Sequence, residues 1–599
     1  MIVIGMLGAP LAAFLLILIL MKINADTIWK LGIAGALGAF LFAAAALVGI
    51  GSDGADSAWN QWSLSWVPSL GVWIRLKLDG LSFGVILCAT VVYLAAFISI
   101  SSGERKKVRT AALLLSEVGV LGALMGRDLV FFLVMWLLSW LPLVLSVPME
   151  LIDSKDSRRV RKDMRRVRIQ LTAAAGFFIC AALALAVTYH AQTGAWTFDI
   201  DRLIHAGLGA RSSLWIMIFF IVALGTGAAV FPFHSWLPFA ARGLSLPMLA
   251  VLMAGVTKAP LLLLVRLSLG IFPKAVALSS PLLVMVAVLG VVHSGLLSWT
   301  HRGDMRRLAA YLTSGFHAVA LFGFSSLDIR GVTGAAFLIA SHTIAIGGLV
   351  LGLIAVEPSE RDHEAPITSQ IFTRGWLVGV LLAVATLAAV PVLSGFVGEI
   401  LLWSGCFDSY IQHRIYASLF GGAPLILENP KLWTLVTLLG SLLLTAAVVH
   451  AFYKKFYVGY QREFSNSDST NSEQAPKKNL QNTSSLSSVT VLLPGFLSIF
   501  LGLYPGLLLK PMELEAKQLI DVSLESYNRV NKVEPGWTRK MNAGRWMRRE
   551  KSVGLRADLW KILRCCTGSG RLDLVKMNVQ DGEFADLGED DSFFWERVG

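Results

Sequence analysis

Several ionisable side chains stand inside apolar sequence, where a charge is costly. Lys258 lies in the run Leu249–Leu264, and Glu399 follows the apolar stretch that begins at Leu387. A charge at the centre of a membrane helix costs roughly 2.5–3.5 kcal/mol on insertion scales, so it requires a partner or a function. Burial shifts the proton affinity of lysines and carboxylates towards neutrality, and histidine titrates there already. The residue types therefore predict a proton path, made of Lys258, Glu399, His317, His342, His293 and Glu117.

Each of these residues also has a structural interpretation. Lys258 and Glu399 also fit buried structural pairs, with the backbone or with each other. A lone histidine on an apolar helix is more often a packing residue, and this applies most strongly to His293. Glu117 is either a substitute entrance carboxylate or an interhelical hydrogen-bonding acid. Its exchange for Gln distinguishes the two, because only the first role predicts loss of flux.

Two sequence breaks position these residues. The first is Phe231-Pro-Phe-His-Ser-Trp-Leu-Pro238, in which Pro232 and Pro238 flank His234. The second contains Pro391 and Gly395. Proline removes a backbone donor and obstructs the preceding helix turn. Broken membrane helices are tolerated only where they line protein or a watery cavity, and transporters use them in paired repeats at ion sites.

Composition identifies the chain as a polytopic membrane protein. It has 599 residues, of which 55% are hydrophobic and only 15% are charged, with a mean hydropathy of +0.65. Soluble domains carry about 25% charged residues. Apolar stretches of about 20 residues number about fourteen, the first of which is interpreted as a membrane span rather than a signal peptide. The predicted fold is all-α, with about fourteen transmembrane helices and two inverted five-helix repeats in which helices 7 and 12 are broken.

Six regions follow from these spans, one of which is a polar loop before the last membrane helix. Residues 1–108 carry helices 1–3, residues 109–268 the first repeat of helices 4–8, and residues 269–455 the second repeat of helices 9–13. Residues 456–487 are a polar disordered loop, 488–512 the last membrane helix and 513–599 a soluble tail. Basic loops predict the cytoplasmic side, and the strongest of them is Arg158–Arg168. This orientation places both termini outside.

No cofactor or metal site is expected from the sequence. The cysteines Cys88, Cys180, Cys406, Cys565 and Cys566 contain no CxxC pair. No glycine-rich phosphate loop opens a helix, so the chain is expected to lack redox and hydrolytic sites of its own. Any electron chemistry must belong to a partner, and nothing indicates a nucleic-acid partner.

The motifs resemble those of the antiporter-like, proton-conducting subunits of respiratory complex I and of Mrp cation antiporters. The first break resembles the family's "PxHxWLP", and Lys258 its central lysine in helix 8. Ser394–Glu399 is similar to the "FVGE" of the M-type subunit of NADH-quinone oxidoreductase. Further similarities are Asp79–Ser82 with "DGxS", Asp304–His317 with "DxKRxxAYSSxxH", and Ser341-His342 with the "SH" of helix 11. The resemblance covers about residues 75–410, more loosely to 510.

Two positions depart from the family pattern. Leu137 stands where the resemblance places the glutamate of helix 5, and Gly227 where it places the lysine of helix 7. If only one member of this buried glutamate–lysine pair were lost, the remaining charge would be buried without a partner, which costs about 3–5 kcal/mol. The loss of both members together avoids this cost. The chain is therefore a diverged relative without the usual first loading pair.

The resemblance implies a proton-translocating subunit of a complex-I-like assembly in a bacterial inner membrane. Lys258 would be the central site and Glu399 the exit-side site, with His317 and His342 along the path. Translocation would then need the complex, whose expected members are other membrane subunits, with redox or zinc-bearing soluble subunits beyond them. Three alternatives stay open: a membrane proton-channel partner in inorganic-carbon (bicarbonate/CO₂) uptake, a Na⁺/H⁺ antiporter subunit, and a structural subunit with a decayed path.

Overall fold

A computed structural model describes residues 2–19, 24–49, 60–100, 106–150, 157–204, 210–355, 374–409, 430–457 and 481–530. Within these ranges the chain is almost entirely helical, with one two-stranded sheet. Most of the polar loop and most of the tail predicted above lie outside the described residues.

The N-terminal region contains three membrane helices and a hairpin. Helices α1 (Ile2–Ile19) and α2 (Ala25–Gly49) precede strands β1 (Gln61–Val67) and β2 (Val72–Lys77). The strands pair antiparallel, with Gln61 opposite Lys77. Helix α3 (Gly80–Ile98) begins where the Asp79 carboxylate accepts a hydrogen bond from the Ser82 amide, a typical N-cap.

The next helices are α4 (Lys106–Met125), α5 (Leu129–Glu150), α6 (Ser157–Thr193), α7 (Ile200–Ile204) and α8 (Ala210–Gly227). Helices α4 and α5 form the expected tight hairpin across residues 126–128. After α8 comes a 3₁₀ turn, Phe233–Trp236, whose preceding peptide Phe231-Pro232 is cis. Pro238 then lies in the first turn of α9 (Leu237–Gly243), where a missing amide is tolerated.

The following membrane span is segmented. Helix α10 (Leu246–Val251) runs into a π-helical turn, Leu252–Val256, then into α11 (Lys258–Arg266) and a second π-helical turn, Leu267–Ile271. The span Leu246–Ile271 is completely buried, as is that of α14, whereas only 28% of α1 is buried. The core of the molecule therefore surrounds α11 and α14, and α1 faces outward.

The second half contains α12 (Pro273–Thr300), α13 (Met305–Phe324), α14 (Ile329–Gly352), α15 (Arg374–Leu387) and α16 (Ser394–Asp408). Helices α17 (Pro430–Phe452), α18 (Gln481–Leu503) and α19 (Gly506–Val530) follow. The break between α15 and α16 contains Pro391, as predicted, and Gly395 is the second residue of α16.

Among the described residues, ten helices are long and apolar enough to cross a membrane, or eleven if α18 and α19, bent by 69°, form one span. The chain is therefore a polytopic membrane protein, as its composition predicts.

Two helix boundaries near the C-terminal end differ from those predicted by the sequence. Helix α18 begins at Gln481, inside the predicted loop, and α19 passes through the boundary predicted at residue 512. Leu508, Met512 and Ala516 of α19 are buried, because this helix is amphipathic and packs on the bundle.

Charged contacts mark the two ends of the bundle. At one end Asp163 of α6 pairs with Arg242 of α9 at 2.8 Å. At the other end Asp79 forms buried ion pairs with Arg127, at 2.5 Å, and with Arg266. Glu515 of α19 lies 3.7 Å from Arg127, so α19 packs at the Asp79 end.

Candidate functional site

The centre of the molecule holds a lysine bonded to two histidines. Lys258, the first residue of α11, is fully buried. Its Nζ lies 2.6 Å from Nε2 of His317 on α13 and 2.8 Å from Nδ1 of His342 on α14. Within the described part of the chain, no carboxylate forms an ion pair with this amine. Three of the predicted path residues are therefore brought together, joined by direct hydrogen-bond distances.

The first helix break orients His317. In a continuous helix the Ala228 carbonyl would accept from the amide of residue 232, but Pro232 has no N–H. The carbonyl instead lies 2.6 Å from Nδ1 of His317. Because a carbonyl can only accept, Nδ1 must carry the proton, and a neutral His317 then presents a lone pair on Nε2 to Lys258. The break thus selects the tautomer that accepts from the lysine.

His342 is held at only one ring nitrogen. Its Nδ1 faces Lys258, whereas its buried Nε2 has no hydrogen-bond partner among the described residues. A neutral imidazole carries one N–H and one lone pair. If Nδ1 accepts from Lys258, the proton of the ring lies on Nε2 and is directed away from the lysine. His342 is therefore suited to pass a proton onward, rather than to lock the lysine in place.

Glu399 lies apart from this group. It is half-buried on α16, and its carboxylate oxygens lie 3.4 Å from Nε1 of Trp403 and 3.5 Å from Oγ of Ser441 on α17. Both distances are long for hydrogen bonds. The carboxylate therefore faces α17, and no direct hydrogen bond joins it to Lys258.

Glu117 is fully buried on α4, and neither of its carboxylate oxygens has a hydrogen-bond partner in the described ranges. The neighbouring Ser116 hydroxyl does have partners, bonding Tyr93 at 2.7 Å and the Ser139 carbonyl at 2.6 Å. The described residues therefore offer no hydrogen-bond donor that would support an interhelical hydrogen-bonding role for Glu117.

His293 packs against the first break. Its ring lies 4.9 Å from that of His234 and 5.0 Å from that of Phe231, measured between centroids. The buried Nδ1 atoms of both histidines have no hydrogen-bond partner among the residues described. His234 and His293 therefore form a second imidazole pair, which has no direct hydrogen bond to Lys258.

The positions of the missing loading pair are filled by apolar side chains. A Cβ on Gly227 would lie 2.5 Å from Cζ2 of Trp136 and 3.1 Å from the ring of Pro260. Leu137 is partly buried and packs on the core. A lysine at residue 227 would therefore require Trp136 to move.

The two breaks share one backbone pattern. The amides of Ala229 and Ala389 each bond a threonine carbonyl three residues earlier, and both alanines have positive φ, 53° and 49°. The amides of Val230 and Val390 each bond the carbonyl five residues earlier. Both breaks therefore use the local sequence Thr-x-Ala-Ala-Val before the disrupted turn.

Two buried polar groups were not selected by the sequence reasoning as site residues. One is the ion cluster of Asp79, Arg127, Arg266 and Glu515, of which only Asp79 lies in a motif recognised from the sequence. The other is a set of buried hydroxyls on α14, α15, α16 and α18. Single serines in apolar helices carry no spacing signal, so only the packing of the helices reveals this set.

Comparison with known proteins shows which family this chain resembles. Residues 127–423 match the sequence model of the family described as "NADH:quinone oxidoreductase/Mrp antiporter, TM". NAD(P)H-quinone oxidoreductase chain 4 3 of Picosynechococcus is 28% identical over 354 residues, which cover 58% of this chain and 62% of that protein. NADH-quinone oxidoreductase subunit M of Escherichia coli is 26% identical over 360 residues, covering 58% and 69%. The match thus spans about three fifths of the first relative's length.

The fold is similar to that of a solved respiratory complex. A chain of respiratory complex I from Thermus thermophilus with bound NADH superposes with a TM-score of 0.69 at 20% identity. The superposition covers 87% of this chain and 100% of that one. The motifs predicted this resemblance, and the comparisons confirm it. Residues 127–423, just under half of the chain, are similar to the NADH:quinone oxidoreductase/Mrp antiporter membrane family.

Proposed function

We propose that this chain translocates protons as a membrane subunit of a complex-I-like assembly, with Lys258 as the central exchange site. The observation that carries the proposal is the placement of the Lys258 amine within 2.8 Å of two imidazoles at a broken helix. An amine between two imidazoles accepts a proton from one side and gives it to the other. Because no carboxylate pairs with it in the described ranges, its charge is free to change.

The remaining path residues are assigned around this centre. Glu399 is the exit-side site, His317 and His342 line the path, and His293 contributes from beside the first break. Glu117 substitutes for the missing acid of helix 5 as the entrance carboxylate. Its burial without a hydrogen-bond partner among the described residues supports this assignment, because a buried polar group that has no structural partner calls for a functional role.

The proposed architecture has fourteen crossings in two inverted five-helix repeats. Eleven of these crossings are the ten long apolar helices and the bent pair α18–α19. The other three are α8, α13 and the broken pair α15–α16, which we count as one crossing. The repeats are residues 109–268 and 269–455, after helices 1–3 in residues 1–108. The shared backbone pattern of the two breaks supports the repeat. The last crossing is formed by α18 and the first turns of α19, and the tail continues from the rest of α19.

The chain would act inside a multi-subunit complex of a bacterial inner membrane. Other membrane subunits are its direct partners, and redox chemistry is supplied by soluble subunits. The basic end of α6 faces the cytoplasm under the positive-inside rule. Because α19 packs at the opposite end of the bundle, the tail starts on the external side.

Proton flux through the purified complex in proteoliposomes that contain a pH-sensitive dye tests the proposal. Lys258→Met keeps the length of the side chain but cannot carry a proton, so flux should fall at least about a hundredfold. Glu399→Gln should reduce flux to a similar extent. Lys510→Met, at an exposed position of α19, is the matched control and should leave flux unchanged. Unchanged flux in Lys258→Met would reject the proposal.

A structural subunit with a decayed path is the second candidate, and the filled space at Gly227 favours it. It predicts an intact complex in which both Lys258→Met and Glu399→Gln leave flux unchanged. Mass spectrometry of co-purifying proteins separates the remaining alternatives. Quinone-reducing or iron–sulfur subunits would support the redox-driven pump, and a zinc protein without them would indicate carbon uptake. A separate flux measurement in the presence of sodium tests the antiporter, which predicts sodium-dependent proton flux.

A further inference from the structure

Four buried hydroxyl groups from four helices form one hydrogen-bonded chain. Ser341 Oγ on α14 lies 2.8 Å from Ser394 Oγ on α16, which lies 3.0 Å from Ser498 Oγ on α18. Ser498 Oγ lies 2.7 Å from Thr386 Oγ1 on α15. None of the four residues is more than 3% exposed. The hydroxyls therefore connect the interior of the bundle with the helix that precedes the second break.

The second break assembles this chain. Thr386 lies in the last turn of α15, and Ser394 is the first residue of α16, so the interruption at Pro391 brings both against Ser498. Two close approaches hold the arrangement. A Cβ on Gly395 would lie 2.0 Å from the Thr386 carbonyl oxygen, and a Cβ on Gly502 would lie 2.0 Å from that of Val392. Glycine at both positions lets α15, α16 and α18 meet.

The far end of the chain sets its direction. Thr386 Oγ1 donates to the Leu382 carbonyl at 2.7 Å, and a carbonyl cannot donate in return. Thr386 therefore accepts from Ser498, Ser498 from Ser394, and Ser394 from Ser341. In this state Ser341 is left with lone pairs to accept a proton at the near end.

The near end lies beside the Lys258 site. Ser341 precedes His342, whose Nδ1 bonds Lys258 and whose Nε2 has no hydrogen-bond partner among the described residues. No direct hydrogen bond joins Nε2 to Ser341 Oγ among the described residues, so proton transfer between them requires a bridging water molecule. At the far end, Val390 and Val392 in the break are 43% and 56% exposed, so the chain ends close to the surface of the subunit.

We propose that Ser341, Ser394, Ser498 and Thr386 conduct protons between the Lys258 site and the surface at the α15–α16 break. This inference rests on the proposed function. A proton arriving at Ser341 Oγ forms a new O–H bond as the old one breaks and passes its proton to Ser394, and the same exchange repeats at Ser394 and at Ser498. Thr386 Oγ1, which then holds the proton from Ser498, turns its own O–H away from the Leu382 carbonyl and releases that proton to water entering the break, so the chain gains and loses one proton. Glu399 faces α17 and is not a member of the hydroxyl chain, and full flux requires both Glu399 and the chain.

The test measures proton flux by the purified complex, with the full-length chain, in dye-loaded proteoliposomes. Thr386→Val keeps the side-chain shape but removes the hydroxyl, and Ser498→Ala removes the next one. Each should lower flux at least about tenfold, since each deletes one proton-transfer group. The matched control is Thr343→Val on α14, because the buried Thr343 hydroxyl bonds the Ile339 carbonyl and no other group among the described residues. Unchanged flux in Thr386→Val or Ser498→Ala would overturn the inference.

Two further measurements separate conduction from helix packing. Ser498→Thr restores a hydroxyl and should restore flux, whereas a packing role would be disturbed by the extra methyl group. The solvent deuterium isotope effect on flux should rise in Ser498→Ala, which a purely structural hydroxyl would not cause. Lys258→Met distinguishes the two proposals. If it abolishes flux while Thr386→Val does not, only the hydroxyl branch is rejected; if it has no effect, the proposed function fails.

Discussion

The indole of Trp136 lies where a side chain at residue 227 would have to be placed. A Cβ on Gly227 would come within 2.5 Å of Cζ2 of Trp136, closer than real Cβ contacts. Trp136 is itself fully buried on α5, beside Leu137. Two apolar side chains of α5 thus take the places of the charges that the family resemblance implies: Leu137 stands at one position, and Trp136 packs against Gly227 at the other.

This contact predicts that Gly227→Ala destabilises the protein. Overpacking a filled core costs about 1–3 kcal/mol, so the thermal unfolding midpoint of the detergent-purified protein should fall. Gly176→Ala in α6 is the matched control, because nothing lies within 4 Å of a Cβ there. The control should be neutral or stabilising by about 0.5–1 kcal/mol. Equal effects of the two substitutions would contradict the contact.

The two histidines at Lys258 should differ in their effect on stability. His317→Ala leaves the Ala228 carbonyl buried without its donor, which costs about 1–3 kcal/mol. His342→Ala leaves no such backbone group, because Nε2 of His342 has no partner among the described residues. We expect a lower unfolding midpoint for His317→Ala than for His342→Ala, and similar losses of proton flux. A reversed order of stability would show that the break does not depend on His317.

Removal of Asp79 should be severe. Its carboxylate pairs with the buried Arg127 and Arg266, so Asp79→Ala strands both guanidinium groups at a cost of about 3–5 kcal/mol. Arg307→Ala removes a partly exposed ion pair with Asp304 and should cost less than about 1 kcal/mol. Unfolding midpoints of the two variants test the difference. A mild effect of Asp79→Ala would mean that the arginines find other partners.

Glu117→Gln should abolish proton flux if Glu117 is the entrance carboxylate. The exchange keeps size and polarity and removes only the titrating group, so folding should be retained. Glu513→Gln, at an exposed position of α19, is the control and should leave flux unchanged. Wild-type flux in Glu117→Gln would reject this role for the residue.

Hydropathy and proline positions predicted most of the fold. Spans of about 20 apolar residues predicted the ten long apolar helices found among the described residues, because the bilayer imposes that length. Pro232 and Pro391 located both breaks, since the lost amide acts locally. Hydropathy alone did not predict the start of α18 at Gln481 or the continuation of α19 beyond residue 512. Helix α19 is amphipathic and polar on one face, so hydropathy alone places it in the tail.

The candidate site was predicted in part. The motif positions indicated Lys258, His317 and His342, and these three meet. Glu399 was predicted on the same path, but its contacts with Trp403 and Ser441 depend on how α16 packs against α17. The hairpin of β1 and β2 was missed although Trp62, Leu64 and Trp66 alternate with polar residues as in a strand, because hydropathy averaged over about 20 residues does not detect strands of six or seven. Ser498 was missed because its role depends on three other helices.

The direction of the Lys258 side chain depends on chain length as well as on residue type. A π-helical turn holds about one residue more than the α-helical turn it replaces, and such turns stand on both sides of α11. Each residue rotates an α-helix by about 100°. Deleting one residue from Leu252–Val256 would therefore turn Lys258 away from both histidines while leaving its sequence neighbours unchanged. An insertion or deletion in Leu252–Val256 would therefore abolish proton exchange at Lys258 without changing Lys258, His317 or His342 themselves.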